Sequence, residues 1–184
     1  IPGDESQGTM AWQVIHCLST RNYFGYEPNP QYLRGGDWIV SKLIDIVSKG
    51  GNLMVGVGPD LAGNWHPKAL ESLEYAGKWL KVNGEAIYGT RPCKITKEGS
   101  VFYTRNKDNT TTYALIDGWP GKSLFVDHIQ PDRQSKIFLL GYNKPLTWKK
   151  NKTGILIELP MELQSEENRP CKQAYAFKIT GSQK

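Results

Sequence analysis

Apolar positions along the chain change their period once. Over residues 38–48, Trp38, Ile39, Leu43, Ile46 and Val47 recur at helical spacing, with Ser41, Lys42, Asp45 and Ser48 on the other side. That pattern predicts an amphipathic helix. Gly50-Gly51 stops it, because glycine takes the left-handed conformation of a helix C-cap without steric cost. The next run, Asn52-Leu-Met-Val-Gly-Val-Gly58, is almost continuously apolar and predicts a strand buried on both faces, as in a parallel sheet. Residues Pro59–Asn64 read as a loop. A second helix is expected from about Pro67 to Val82, with Leu70, Leu73, Ala76, Gly77 and Leu80 turned inward. Pro67 suits its first turn and Asn83-Gly84 its end.

Helix, strand, loop and helix in that order form the repeating unit of a β/α fold. A closed barrel needs eight such units and about 250 residues, so this half reads as the last quarter or third of something larger. After Arg91-Pro92 the helical period disappears. Short β-rich runs follow at Ser100–Thr104, Thr111–Ile116, Ser123–Asp127, Lys136–Leu140, Ile155–Leu159 and Ala174–Ile179, separated by glycine-, proline- and asparagine-bearing turns. This spacing indicates an antiparallel sandwich or barrel. The fold class expected is therefore α/β plus all-β. The last β/α units of a (β/α)8-type barrel occupy residues 1–91, and an antiparallel β-sandwich occupies 92–184, with the boundary at Gly89–Lys94.

Composition narrows the function classes. Hydrophobic residues make up 39% and charged residues 22% of the 184, which is a globular balance. The charge of +5 is spread out, and its densest run, Lys149-Lys150-Asn151-Lys152, reads as a solvated turn. With no concentrated basic face, nucleic acid is not an expected partner. No run approaches the roughly 20 apolar residues of a membrane span. The chain opens Ile1-Pro2-Gly3 without signal-peptide character, so a mature or cut polypeptide is expected. Two sequons, at Asn109 and Asn151, fall in turn-like stretches and tilt the reading toward the secretory route. Cys17, Cys93 and Cys171 are too few for a disulfide scaffold and odd in number; buried or free thiols are expected, with no pairing assigned. No His/Cys spacing suggests a metal, and no cofactor is expected. Gly56-Val57-Gly58 lacks the third glycine and the Lys-Ser or Lys-Thr of a phosphate loop; its glycines instead allow close approach of backbone or ligand.

Two stretches carry a resemblance. Ser48-Lys-Gly-Gly-Asn-Leu-Met-Val-Gly-Val-Gly-Pro59 and Gly77-Lys-Trp-Leu-Lys-Val-Asn-Gly-Glu-Ala-Ile-Tyr-Gly-Thr90 resemble the last strand and last helix of the barrel of the retaining α-L-fucosidase family. The triplet Phe24-Gly25-Tyr26 is similar to that family's aromatic-Gly-Tyr element. The resemblance implies a glycoside hydrolase that removes terminal α-linked fucose by a two-carboxylate mechanism. It places the nucleophilic Asp on an earlier barrel strand, upstream of this chain, so that the chain alone is incomplete or inactive. It also implies completion by an N-terminal barrel segment or a companion chain, a fucosylated glycan as substrate, and a secreted or lysosomal location. A homo-oligomer is left open.

At the family's Trp-Glu pair this chain has Trp12-Gln13, and an amide has no acidic proton to donate to a leaving oxygen. Asp4 and Glu5 are the substitute acid/base candidates, against ordinary solvated acidic residues. Trp12, Phe24, Tyr26 and Trp65 are the candidates for stacking on a sugar ring, against packing beside the last strands. His16 and Arg21 are candidates for hydrogen bonds to sugar oxygens, against a structural histidine and an exposed loop arginine. His66 and His128 have no partner in the sequence that suggests catalysis, and Glu71, Glu74 and Glu85 read as surface residues. The alternative function, motivated by Gln13, is a catalytically inactive fucosidase-like protein that binds glycans or serves as a structural module.

Overall fold

The computed structural model describes residues 11–181, so Asp4 and Glu5 lie outside the described residues. The chain divides into two compact units between Lys81 and Val82.

The first unit begins with strand β1 (Gln13–Cys17), helix α1 (Gly36–Ser48), strand β2 (Asn52–Gly56) and helix α2 (Pro67–Asn83), whose last two residues cross the division. Strands β1 and β2 pair in parallel, from Gln13 opposite Asn52 to Cys17 opposite Gly56. A helix between two parallel neighbours is the geometry of a crossover connection. Helix α1 stops where its glycines predict: Gly50 has φ +82°, and the Gly51 N–H donates to Ile46 O at 3.0 Å. Ser48, expected on the polar side, is wholly buried, its hydroxyl donating to Asp45 O at 2.9 Å.

Two expectations about this unit are corrected. Strand β2 is not buried on both faces. His16 and Val55 lie on the α1 side, where the His16 ring meets Trp38 edge-on at 5.4 Å. On the other side Ile15 and Met54 stand opposite each other, each 50% exposed. The apolar run records a strand composed for cover on two faces, and the described residues supply it on one. The buried stripe of α2 is also rotated from the one expected. It runs Ala69, Ser72, Ala76, Trp79 and Asn83, while Leu70 is exposed. Ser72 is tolerated inside because its hydroxyl donates to Arg34 O and Lys68 O, both at 2.9 Å. Contact between the helices is close at Gly36, where a Cβ would lie 2.6 Å from Tyr75 Cδ1 and 2.7 Å from Ser72 O.

The second unit consists of two antiparallel sheets. One carries β3 (Arg91–Glu98), β4 (Val101–Arg105), β5 (Thr111–Asp117), β7 (Ile137–Leu139) and β10 (Ala174–Thr180) in the order β3-β4-β5-β10-β7. The other carries β6 (Ser123–Asp127), β8 (Thr147–Lys150) and β9 (Gly154–Glu158) in the order β6-β9-β8. Alternate residues of both sheets enter one apolar core: Tyr103, Leu124, Val126, Ile155, Ile157 and Phe177 among them. Each fully buried side chain of this kind contributes about 1.5–3 kcal/mol. Strands β3 and β8, both edges, escape the sequence reading because of their composition. One carries Pro92 and several charges and the other two lysines, residues that blunt a sheet edge against further pairing. All three cysteines are free thiols. Burial pushes the thiols of Cys93 and Cys171 up to about 11.

The division falls ahead of the expected boundary at Gly89–Lys94 because the turn Gly84–Ala86 is fastened to the second unit. Thr104 donates to Ala86 O at 2.8 Å, Tyr113 donates to Glu85 Oε1 at 2.8 Å, and Lys178 Nζ lies 2.5 Å from the same oxygen. Partial burial works to raise the Glu85 carboxyl, but the hydrogen bonds from Lys178 and Tyr113 prevail and hold it below the usual 4.5.

A carboxylate lowered in the folded state stabilises above its unfolded pKa, and the gain is lost as pH falls through the folded value. Glu85→Gln is thus expected to lower stability at pH 7 by less than about 1 kcal/mol, since the carboxylate is half exposed, and to have a smaller effect at pH 3. Urea melts at both pH values read this. For the helices, Gly36→Ala is expected to cost about 1–3 kcal/mol through overpacking. Gly77→Ala, where a Cβ meets nothing within 4 Å, is expected to gain about 0.5–1 kcal/mol. Opposite signs in thermal melts are the expected result.

Candidate functional site

The C-terminal ends of β1 and β2 carry the two loops that gather chemistry in the first unit. After β1 the chain leaves at Leu18–Thr20 and returns at Tyr32–Arg34: Arg34 N donates to Leu18 O at 3.0 Å, and Thr20 N to Tyr32 O at 2.7 Å. The excursion between holds Phe24-Gly25-Tyr26. It lies directly on the end of β2, where a Cβ on Gly58 would fall 2.5 Å from Gly25 O and from Tyr26 N. A Cβ on Gly56 would fall 2.7 Å from Phe24 Cε1. Gly58 therefore serves close approach of backbone, and Gly56 makes room for the Phe24 ring.

One residue inside this loop was not singled out from sequence. The Glu27 side chain is 1% exposed. Its Oε2 accepts from Ser19 Oγ at 3.2 Å and its Oε1 from Asn29 N at 3.1 Å, while Arg21 Nε stands 3.8 Å away. Arg21 in turn covers the Tyr32 ring, its Cζ 3.9 Å from the centroid. A buried carboxylate with its acceptors used locally fixes the loop. Nothing in the loop sequence Asn22–Pro30 distinguishes such a residue from a solvated loop glutamate; the signal is spatial.

The second loop follows β2. Asp60 Oδ1 accepts from Asn64 N at 2.8 Å and Ala62 N at 2.9 Å. The Asn64 N–H, outweighing partial desolvation and aided by Ala62 and Gly63, holds this carboxyl below the usual carboxylate range. His66 Nδ1 accepts from Lys68 N at 3.0 Å and so caps α2. Its ring lies 6.3 Å from that of Tyr26. Between the loops is a cleft lined by Ser19, Tyr23, Gly25, Glu27, Gly58 and His66, among others. Its free space is about 10 Å³, the scale of one water molecule. Phe24 (55% exposed) and Trp65 (47% exposed) are not among its lining residues.

The structure thus gathers Phe24 and Tyr26 at the strand ends, with Trp65 and His66 in the loop after β2. Trp12 and Gln13 lie at the opposite end. A Cβ on Gly51 would fall 2.5 Å from the Trp12 ring, and Gln13 opens β1 opposite Asn52. His16 faces α1, where burial first, and then Lys42 and Arg34, lower its pKa. Asn109 and Asn151 are exposed between strands, Asn109 with φ +56°. His128 belongs to the second unit, beside Glu98 and Asp127.

Comparison with known proteins identifies the family. The family described as Alpha-L-fucosidase matches residues 2–85, and the one described as Alpha-L-fucosidase C-terminal domain matches residues 94–180. The chain is 38% identical to rat (Rattus norvegicus) plasma alpha-L-fucosidase over 148 residues, covering 77% of this chain and 32% of that protein. It is 33% identical to bovine (Bos taurus) tissue alpha-L-fucosidase over 177 residues, covering 92% and 36%. The chain therefore spans about a third of the length of the curated relatives it matches. Among solved structures, Thermotoga maritima alpha-fucosidase in complex with fucose superposes with TM-score 0.77 at 25% identity, over 92% of this chain and 40% of that one. The Bacteroides thetaiotaomicron alpha-L-fucosidase has the same TM-score at 21% identity, covering 98% and 41%, and supports the fold. With both family descriptions matched in order along nearly its whole length, the chain belongs to the α-L-fucosidase family.

Proposed function

We propose that this chain supplies the closing β/α units of a (β/α)8 barrel, in residues 1–91, and a following β-sandwich, in residues 92–184, of a retaining α-L-fucosidase acting on fucosylated glycans. The observation that carries the reading is the placement of Phe24, Tyr26 and Trp65 on loops at the C-terminal ends of a parallel strand pair. That is the end of a barrel where active sites are built. The open Ile15–Met54 face is the side that the remaining strands cover.

In this reading the aromatic side chains form one wall of the sugar site. A fucose ring has an apolar face that stacks on an aromatic plane, which orients it before any bond is broken. Ser19, Arg21 and Glu27 hold the loop that presents them. A retaining mechanism needs two carboxyl groups about 5–5.5 Å apart, one attacking the anomeric carbon and one acting first as acid and then as base. Among the described lining residues of the cleft Glu27 brings one carboxyl group, and it is engaged locally. The nucleophile is therefore assigned to sequence upstream of this chain, and Asp4 and Glu5 keep their place as acid/base candidates. Gln13, an amide at the far end of β1, takes no part in proton transfer. Passage through the secretory route to a secreted or lysosomal location, with glycans on Asn109 and Asn151, completes the proposal; both side chains stand in exposed turns.

The native polypeptide is expected to release fucose from an aryl α-L-fucoside with the α-anomer as first product in proton NMR. Phe24→Ala and Trp65→Ala are each expected to reduce kcat/KM by about tenfold, the equivalent of one lost stacking contact. Absence of hydrolysis with retained fucose binding would instead identify an inactive glycan-binding member of the family. Expression in a secretory host is expected to give two glycosidase-sensitive mass increments, lost one at a time in Asn109→Gln and Asn151→Gln.

A further inference from the structure

We propose that Glu98, Asp127 and His128 form a binding site for a divalent transition-metal ion of the zinc class in the second unit. The site does not depend on the fucosidase reading. Its ligands come from two places: Glu98 ends β3 in the five-stranded sheet, and Asp127 ends β6 in the three-stranded sheet with His128 next after it. One donor atom from each lies within 4.8 Å of the other two. His128 Nε2 stands 3.4 Å from Glu98 Oε2 and 3.9 Å from Asp127 Oδ2. With metal–ligand bonds of about 2.1 Å, a tetrahedral site has ligand–ligand edges of about 3.4 Å. Of the three edges, one already has that length, a second closes with a shift of about half an ångström, and the third, Glu98 to Asp127, lies within 4.8 Å.

The supporting contacts aim the donors. Asp127 Oδ1 accepts from His128 N at 2.9 Å, and the Thr153 side chain also hydrogen-bonds this carboxylate. These are the kind of outer contacts that orient metal-binding carboxylates, and Asp127 Oδ2 faces the imidazole. His128 N also donates to Thr153 O at 2.9 Å, and its φ of +57° turns the ring back over Glu98. A nitrogen donor with two carboxylate oxygens suits zinc-like ions, whereas magnesium and calcium prefer oxygen alone. Glu98 and His128 are each about half exposed on their side chains, which leaves the fourth position to water. The bound ion would join the ends of the two sheets. Sequence spacing could not indicate this site, because its ligands belong to separate strands.

The test is calorimetric titration of the chelator-treated native polypeptide with zinc chloride, alongside Glu98→Gln and His128→Asn. Asparagine tolerates the left-handed backbone at this position, so the second variant retains the turn, and far-UV circular dichroism checks that both variants fold. One saturable event is expected in the parent, weakened at least about tenfold in each variant. At a hundredfold excess over Kd, zinc is expected to raise the parent's melting temperature by roughly 5–10 °C. Absence of saturable binding, binding unchanged in both variants, or equal binding of calcium would overturn the proposal.

Discussion

A backbone contact at the end of β2 governs how the first unit presents its side chains. Gly58 allows Gly25 and Tyr26 to lie directly on the strand end, closer than any Cβ would permit. With the loop seated there, Phe24 covers Gly56, the Tyr23 hydroxyl reaches Tyr26 O, and Glu27 is drawn inside to meet Ser19 and Asn29. A side chain at position 58 would force these groups apart, and cores pay for such overpacking in shifted backbone. Two glycines in a short apolar run thus connect strand composition to the placement of the aromatic wall.

The second unit is organised differently. Its order comes from alternation: every other residue of strands in both sheets enters one core, and turns with residues of positive φ such as Asn109 and Gly118 connect them. Its hold on the preceding turn rests on a few polar contacts, from Thr104, Tyr113 and Lys178 to Ala86 and Glu85. These contacts place the compact division at Lys81–Val82 rather than at the change of hydrophobic period.

What was legible in the sequence follows from which forces act locally. The stop of α1 at Gly50, the start of α2 at Pro67 and the position of β6 are set by turn chemistry and side-chain alternation, and they were readable. The rotation of the α2 stripe was not, because Ser72 and Asn83 are buried through partners distant in sequence, Arg34 O and Cys171 Sγ. Edge strands β3 and β8 were hidden by the charged and proline residues that protect an edge. The aromatic residues of the candidate site were visible as residue types, but separating Trp12 from Phe24 and Tyr26 required knowing which strand end each occupies. Glu27 was invisible, since its burial depends on a loop folding back on itself.

The central claim is that the β1–β2 face bearing Ile15 and Met54 becomes the inside of a barrel in the native polypeptide. Methionine oxidation reads it directly. Met54 is half exposed in the described chain, and Met161, at 74% exposed on the second unit, serves as an internal reference. Brief peroxide treatment of the folded native polypeptide, followed by peptide mass spectrometry, should convert Met161 to its sulfoxide while leaving Met54 reduced. Comparable oxidation of both residues would mean that the face stays open, and would contradict the barrel assignment.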